Sequence, residues 1–180
     1  MQNNIEKVNS LGQSIWYDNI SKAMIMSGEL KDLIGNGISG LTSNPTIFFK
    51  AITGSIDYQT QLNKLALEEV DTEAIYESLV IEDIQAVADL LQPVYDKTDG
   101  ADGYVSLEVN PNLAHETDKT IVEAVRLFET VNRKNLMIKF PATPSGMPAI
   151  RSLIGKGINV NVTLIFSLKA YAAVRDAYIS

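Results

Sequence analysis

The sequence predicts an α/β protein whose parallel strands close into a barrel. Strand-like segments alternate with helical segments along the chain, which is the order that parallel βα units produce. Each strand segment is apolar on one face, whereas its other face becomes polar towards the C-terminal end. A flat sheet covered by helices would be apolar on both faces. A closed barrel instead packs helices on its outer face and places its active site at the top of the interior.

The predicted elements form one continuous series. Strands are predicted at residues 14–18, 40–44, 104–109, 135–141 and 157–163. Helices are predicted, after a short polar N-terminal arm, at residues 19–26, 30–34, 46–51, 57–69, 72–95, 115–128, 145–154 and 167–179. Because no linker or low-complexity segment interrupts this series, we expect a single domain over residues 1–180.

Composition argues against several kinds of protein. The net charge is −7 and there is no long basic run, which argues against nucleic-acid binding. The chain has no cysteine and one histidine, so disulfides, thiolate catalysis and a zinc site are not expected. Its N-terminus lacks the apolar core of a signal peptide, and no apolar run reaches membrane-spanning length. We therefore expect a cytoplasmic protein that does not bind membranes.

Lys139 is the most informative residue of the chain. It lies inside an apolar strand segment, on the face opposite Leu136, Ile138 and Phe140. Lysine is almost never fully buried without a partner or a function. Burial disfavours the charged form of an amine and makes it a better nucleophile towards a carbonyl, as Schiff-base chemistry requires. The alternative is a structural lysine whose ammonium group reaches water from the end of the strand.

The other strands carry polar residues on matching faces. These are Asp18 (on the same face as Trp16), Thr42 and Asn44, Ser106 and Glu108, and Asn159, Asn161 and Thr163. Polar groups from five strands would converge at the top of a barrel. The alternative is that each of them is satisfied separately by backbone or water.

Residue type indicates a role for each group. Glu108 is suited to moving protons near Lys139 through a water, and Asp18 to accepting a hydroxyl proton during C–C cleavage. Thr163 is suited to holding the catalytic water. The amides of Asn44 and Asn161 are suited to binding sugar hydroxyls, and we assign Thr42 to the same substrate-binding set.

Four segments resemble the transaldolases, particularly their longer bacterial branch. They are Gly40–Phe48 (GLTSNPTIF), Val105–Val109 (VSLEV), Leu136–Thr143 (LMIKFPAT) and Gly157–Ser167 (GINVNVTLIFS). The similarity runs in the family's order from about Leu11 to the end of the chain. It implies the first five βα units of an eight-stranded barrel of the class I aldolase type, working without a cofactor or metal. It also implies transfer of a dihydroxyacetone unit from sedoheptulose 7-phosphate to glyceraldehyde 3-phosphate, in the pentose phosphate pathway.

The resemblance also implies a site. The positions that match are Lys139 as the Schiff-base lysine, Glu108 and Asp18 as the acids, Asn44 and Asn161 as the asparagines, and Thr163 as the residue that holds water. Phe140 stands where a small aliphatic residue is usual, on the outward face. The family's phosphate-binding serine and arginines are expected on later strands, which this sequence does not include.

The sequence is compatible with two other functions. One is a class I aldolase that releases free dihydroxyacetone, and the other is a catalytically silent half-barrel. Sugar phosphates are the expected partners in the enzymatic cases. Because the outer strands of a five-stranded segment have unpaired edges, we expect the isolated chain to self-associate, to form a homo-oligomer or to fold poorly. Because the cations that would hold the sugar phosphate are expected on later strands, we also expect the isolated chain to show no measurable transaldolase turnover.

Overall fold

A computed structural model describes residues 2–68 and 71–180. The chain divides into two compact units, Met1–Val105 and Ser106–Ser180. The prediction of a single domain stays a prediction.

The first unit contains two short parallel strands and six α-helices within the described residues. In chain order these are α1 (Asn4–Ser10), β1 (Trp16–Tyr17), α2 (Lys22–Ser27), α3 (Glu29–Gly35), β2 (Gly40–Thr42), α4 (Pro45–Gly54), a 3₁₀ turn (Ile56–Tyr58), α5 (Gln59–Leu67) and α6 (Thr72–Lys97). Strand β1 pairs with β2, with Trp16 opposite Gly40 and Tyr17 opposite Leu41. The backbone N–H of Gly103 donates to the carbonyl of Ser39, which brings the start of β3 (Tyr104–Glu108) beside β2.

The second unit begins inside β3 and continues the βα pattern. Its later elements are a 3₁₀ turn (Pro111–Leu113), α7 (Thr117–Val131), β4 (Leu136–Pro141), α8 (Gly146–Gly155), β5 (Asn159–Thr163) and α9 (Leu168–Ile179). The strand order within this unit is β3-β4-β5. Strands β4 and β5 are parallel, with Lys139 opposite Asn161. The alternation of parallel strands with helices confirms the predicted class and is the arrangement of part of a (βα)8 barrel.

The core follows from the alternation of side chains along the strands. In β4, Leu136, Ile138 and Phe140 are each at most 1% exposed. The helices α7 and α8 contact β4 and β5 respectively, so their apolar faces join this core. Within residues 2–68 and 71–180, every helix is too short or too polar to cross a bilayer.

The prediction of a polar arm before the first strand was wrong, because α1 forms there. The Asn3 side chain accepts from the backbone N–H of Glu6 at 2.9 Å, while the Glu6 carboxylate accepts from the Asn3 N–H at 2.8 Å. This reciprocal pair satisfies two amide groups that the start of a helix leaves unpaired. The Asn9 amide then donates to the Gly37 carbonyl at 2.7 Å, which fastens the helix to the chain after α3.

Other boundaries also differ from the prediction, most clearly at β1, α5 and α7. Strand β1 is shorter than residues 14–18 and ends before Asp18. The helix predicted over 57–69 starts as a 3₁₀ turn and continues as α5, and residue 69 lies outside the described residues. The helix predicted from His115 begins two residues later at Thr117, and His115 is exposed.

Candidate active site

Strand β4 places Lys139 on the face opposite its buried apolar residues. Lys139 is 7% exposed even though its side chain ends in an amine. Burial to this degree requires a polar partner, because an isolated ammonium group is costly to remove from water. This burial argues against the alternative that Lys139 is a structural lysine whose ammonium group reaches water. It favours an amine that lies in a site inside the fold.

Glu108, at the end of β3, is that partner. Its carboxylate Oε2 lies 3.0 Å from the Lys139 Nζ, and the Glu108 side chain is 19% exposed. The backbone N–H of Val109 also donates to the Lys139 carbonyl at 3.0 Å, which keeps the two strand ends side by side. The contact between carboxylate and amine is direct, whereas the sequence led us to expect one through water. A proton can therefore pass between the two groups in a single step.

Asn161 of β5 lies opposite Lys139 in the strand pairing. Its Nδ2 donates to the Oγ of Ser106 on β3 at 2.9 Å, so the two side chains meet over the intervening strand. In βα barrels, side chains from alternate strands share an interior layer. The contact between β3 and β5 is of this kind.

Ser106 also belongs to this constellation. It is fully buried and shares the polar face of β3 with Glu108. Its spacing of two residues from Glu108 placed it on that face, but the sequence indicated neither a role nor its bond to Asn161.

Thr163 is the last residue of β5 and lies opposite Pro141. Its side chain is half-buried, and its carbonyl accepts from the N–H of Ala142 at 2.8 Å. Thr163 is therefore two residues beyond Asn161 on the same face, towards the C-terminal end where a barrel active site lies. Its role in holding a water stays a prediction.

The remaining predicted site residues lie in the first unit. Asp18 follows β1 and is exposed, and Thr42 ends β2 and is half-buried. Asn44 is the N-cap of α4, and its Oδ1 accepts from the Ile47 N–H at 2.9 Å. The cap uses the amide oxygen, so the Nδ2 donors remain suited to a ligand. The convergence of these three residues with Lys139 stays a prediction.

The first unit also holds a buried polar cluster that the sequence did not indicate. The Tyr58 hydroxyl donates to Asp83 Oδ2 at 2.7 Å and accepts from the backbone N–H of Lys22 at 2.9 Å. Burial is the main cause that raises the pKa of Asp83 to about 6, and the hydrogen bond from Tyr58 and the charge of Lys22 partly oppose it. Burial, together with the bond to Asp83, also raises the pKa of the Tyr58 hydroxyl.

Within the described residues, no three His, Cys, Asp or Glu side chains are grouped as a metal site requires. The polar groups around Lys139 are a carboxylate, an amide and hydroxyls. Such a set can transfer protons and bind hydroxyl groups around an amine.

Comparison with known proteins identifies the family. Residues 15–180 match the family model described as Transaldolase/Fructose-6-phosphate aldolase. The chain belongs to this family. A transaldolase of Trichodesmium erythraeum is 49% identical over 178 residues, which cover 98% of this chain and 47% of that protein. A transaldolase of Thiobacillus denitrificans is 49% identical over 98% of this chain and 50% of its own length.

A third transaldolase-family relative, Transaldolase 2 of Nostoc punctiforme, is 47% identical over 98% of this chain and 47% of its own length. The chain therefore spans about half the length of the curated relatives it matches. Within that span the match covers every strand, including β3, β4 and β5 with the Lys139 site.

Proposed function

We propose that the protein carrying these residues is a transaldolase that acts through a Schiff base on Lys139. The observation that carries the proposal is the buried amine of Lys139, 3.0 Å from the Glu108 carboxylate, in a chain of the transaldolase family. The proposed donor and acceptor are sedoheptulose 7-phosphate and glyceraldehyde 3-phosphate. The products are then erythrose 4-phosphate and fructose 6-phosphate, as in the pentose phosphate pathway.

The first half of the reaction forms and uses the covalent intermediate. The neutral amine of Lys139 adds to the donor's ketone carbon, and the resulting carbinolamine loses water to give an iminium ion. The bond between C3 and C4 of the donor then breaks, and its electron pair moves to the iminium to form an enamine. The proton of the C4 hydroxyl passes to a base, which we assign to Asp18, and the shortened aldose leaves.

The second half reverses these steps on the acceptor. The enamine carbon attacks the aldehyde of the acceptor, and the new alkoxide takes the proton back. Water then hydrolyses the iminium and frees Lys139. Glu108 is placed to accept the amine's proton and to protonate the departing hydroxyl of the carbinolamine, because it touches the amine directly.

The binding roles complete the proposal. Thr163 holds the water that enters and leaves during iminium chemistry. Asn161, Asn44 and Thr42 bind hydroxyl groups of the sugar, with Asn161 oriented by its bond to Ser106. The cytoplasmic location and the association between copies stay predictions, and sedimentation of the purified protein measures the association.

Borohydride trapping tests the proposal in the full natural protein that carries these residues. With fructose 6-phosphate as donor, reduction should leave a dihydroxyacetone-sized adduct on the peptide that contains Lys139. Lys139→Met should abolish the adduct, whereas Lys156→Met, which alters an exposed lysine after α8, should not. An adduct on Lys156 or Lys169 in the unaltered protein would contradict the assignment.

One other activity has specific support, because the matching family also includes fructose-6-phosphate aldolase. Such an enzyme forms the same adduct on Lys139, but its enamine is protonated to an iminium, which water hydrolyses to release free dihydroxyacetone. Supplying fructose 6-phosphate without an acceptor separates the two. Turnover that depends on erythrose 4-phosphate indicates transaldolase, and release of dihydroxyacetone in its absence indicates the aldolase.

A further inference from the structure

Two threonine hydroxyls join the segments that follow β3 and β4. Thr143, after β4, donates to the carbonyl of Ala114 in the segment after β3, at 2.6 Å. Thr117, in the first turn of α7, donates in the opposite direction to the carbonyl of Ser145 at 2.7 Å. Each segment therefore donates one hydrogen bond to the other and accepts one from it. The bonded residues are 28 and 29 positions apart in the sequence.

Thr143 is also tied to its own segment. Its Oγ1 accepts from the backbone N–H of Gly146 at 3.1 Å while donating to Ala114, so both functions of the hydroxyl are used. Gly146 is closely packed here, since a Cβ would lie 2.8 Å from the Pro141 carbonyl oxygen. The turn that holds Thr143 in place therefore has little freedom to adjust.

The same segment is connected to β5. The N–H of Ala142 donates to the carbonyl of Thr163 at 2.8 Å. Residues 142–146 thus bond to the segment after β3 on one side and to the end of β5 on the other. The strand ends joined in this way carry Glu108, Lys139 and Thr163.

We propose that Thr143 is a positioning residue, which fixes the spacing of Glu108 and Thr163 around Lys139. This role rests on the proposed Schiff-base function. The backbone N–H of Val109 donates to the Lys139 carbonyl and holds the end of β3 beside β4. After Glu108 and Pro141 the two strands end, and the threonine pair joins the segments that follow them. A displacement of about 1 Å at reacting groups can lower a rate by roughly 100-fold, so a small loss of restraint has a measurable effect.

The test compares Thr143→Val, which keeps the shape but removes the hydroxyl, with Thr143→Ser, which keeps the hydroxyl. The readouts, in the full natural protein, are the borohydride-trapping rate at Lys139, and kcat and KM for fructose 6-phosphate. Thr143→Val should lower kcat and the trapping rate by roughly 10- to 100-fold with little change in KM. Thr143→Ser should recover kcat to within a few-fold of the unaltered protein.

Thr53→Val is the matched control. The Thr53 hydroxyl donates to the Phe49 carbonyl at 2.7 Å, and both residues lie within the single helix α4. Its removal should leave kcat unchanged. If Thr143→Val does not fold, Thr117→Val breaks the other bond of the pair and should lower kcat in the same way.

The outcomes separate this inference from the function on which it rests. Trapping on Lys139 with an unchanged kcat in Thr143→Val would overturn the positioning role and leave the transaldolase proposal standing. Lower thermal stability with normal kcat per folded molecule would equally overturn it, since it shows a purely structural role. Failure of the unaltered protein to form any adduct on Lys139 would overturn the proposed function and the positioning role together.

Discussion

Replacing Asp83 should remove an unusual pH dependence of folding. Asp83 is 2% exposed on α6, accepts from the Tyr58 hydroxyl at 2.7 Å and lies 4.0 Å from the Lys22 Nζ. The charged neighbours of this group are Lys22 and Glu82, which form their own ion pair at 3.0 Å, and Gln61 bonds to both. These contacts do not offset the cost of burial, so the pKa of Asp83 is raised to about 6.

The size and sign of the change in folding stability with pH follow from this shift in pKa. A pKa of 3.8 in the unfolded chain and about 6 in the folded one means that protonation of Asp83 raises the free energy of unfolding by about 3 kcal/mol. Because the folded state binds the proton more tightly, the stability that Asp83 contributes is fully present below about pH 4. It is lost as the pH rises through about 6. Between about pH 4 and pH 7 the loss amounts to about 2 kcal/mol.

Asp83→Asn mimics the neutral carboxyl and still offers an oxygen to Tyr58. Its free energy of unfolding in urea should match that of the unaltered protein near pH 4 and exceed it by about 2 kcal/mol near pH 7. Other carboxylates titrate in the same range, so the measured quantity is the difference between the two proteins at each pH. Glu82→Gln, which alters the exposed neighbour, should show no such change across this window. A difference for Asp83→Asn that stays constant with pH, or that shrinks as the pH rises, would refute the reasoning.

Two further predictions concern packing and catalysis. Gly40→Ala should lower the free energy of unfolding by roughly 1–3 kcal/mol, because a Cβ there would overlap the Trp16 indole ring. Gly54→Ala is the control, since its Cβ would meet no atom of the described residues within 4 Å, and equal losses in a urea titration would contradict the packing argument. Glu108→Gln and Thr163→Ala should each lower kcat by roughly 100-fold or more with a much smaller change in substrate affinity. Steady-state kinetics measure this, and near-normal turnover with a lower melting temperature would show a structural role only.

Features with a short sequence period were predictable. The alternation in Leu136–Pro141 placed Lys139 on the face opposite the buried residues, and the structure confirms that placement. The α1 helix was missed because it has no fully buried residue and so no apolar stripe to detect. Its capping pair, Asn3 and Glu6, was visible at the correct spacing. Its attachment to the carbonyls after α3 was not visible, because that contact joins distant parts of the chain.

The Asp83 cluster was missed for a related reason. Asp83 lies among apolar residues of α6. A hydrophobic pattern predicts that such residues are buried, but it does not predict that an acid between them is buried as well. Its burial is possible because a tyrosine hydroxyl 25 residues away meets the carboxylate. No local pattern in α6 contains that partner.

The pairing of interior residues depends on how far each strand is displaced along its neighbour. The polar and apolar faces of β3, β4 and β5 could be assigned from the alternation of side chains. Alternation does not predict which residues of different strands lie at the same level along the barrel axis. In the structure Glu108 meets Lys139 on the adjacent strand, whereas Ser106 meets Asn161 two strands away. A parallel sheet that closes into a barrel is staggered, and this stagger brings alternate strands into a shared layer. Sequence alternation therefore predicted the polar faces of β3, β4 and β5, while the stagger of the strands decides which residues on those faces touch.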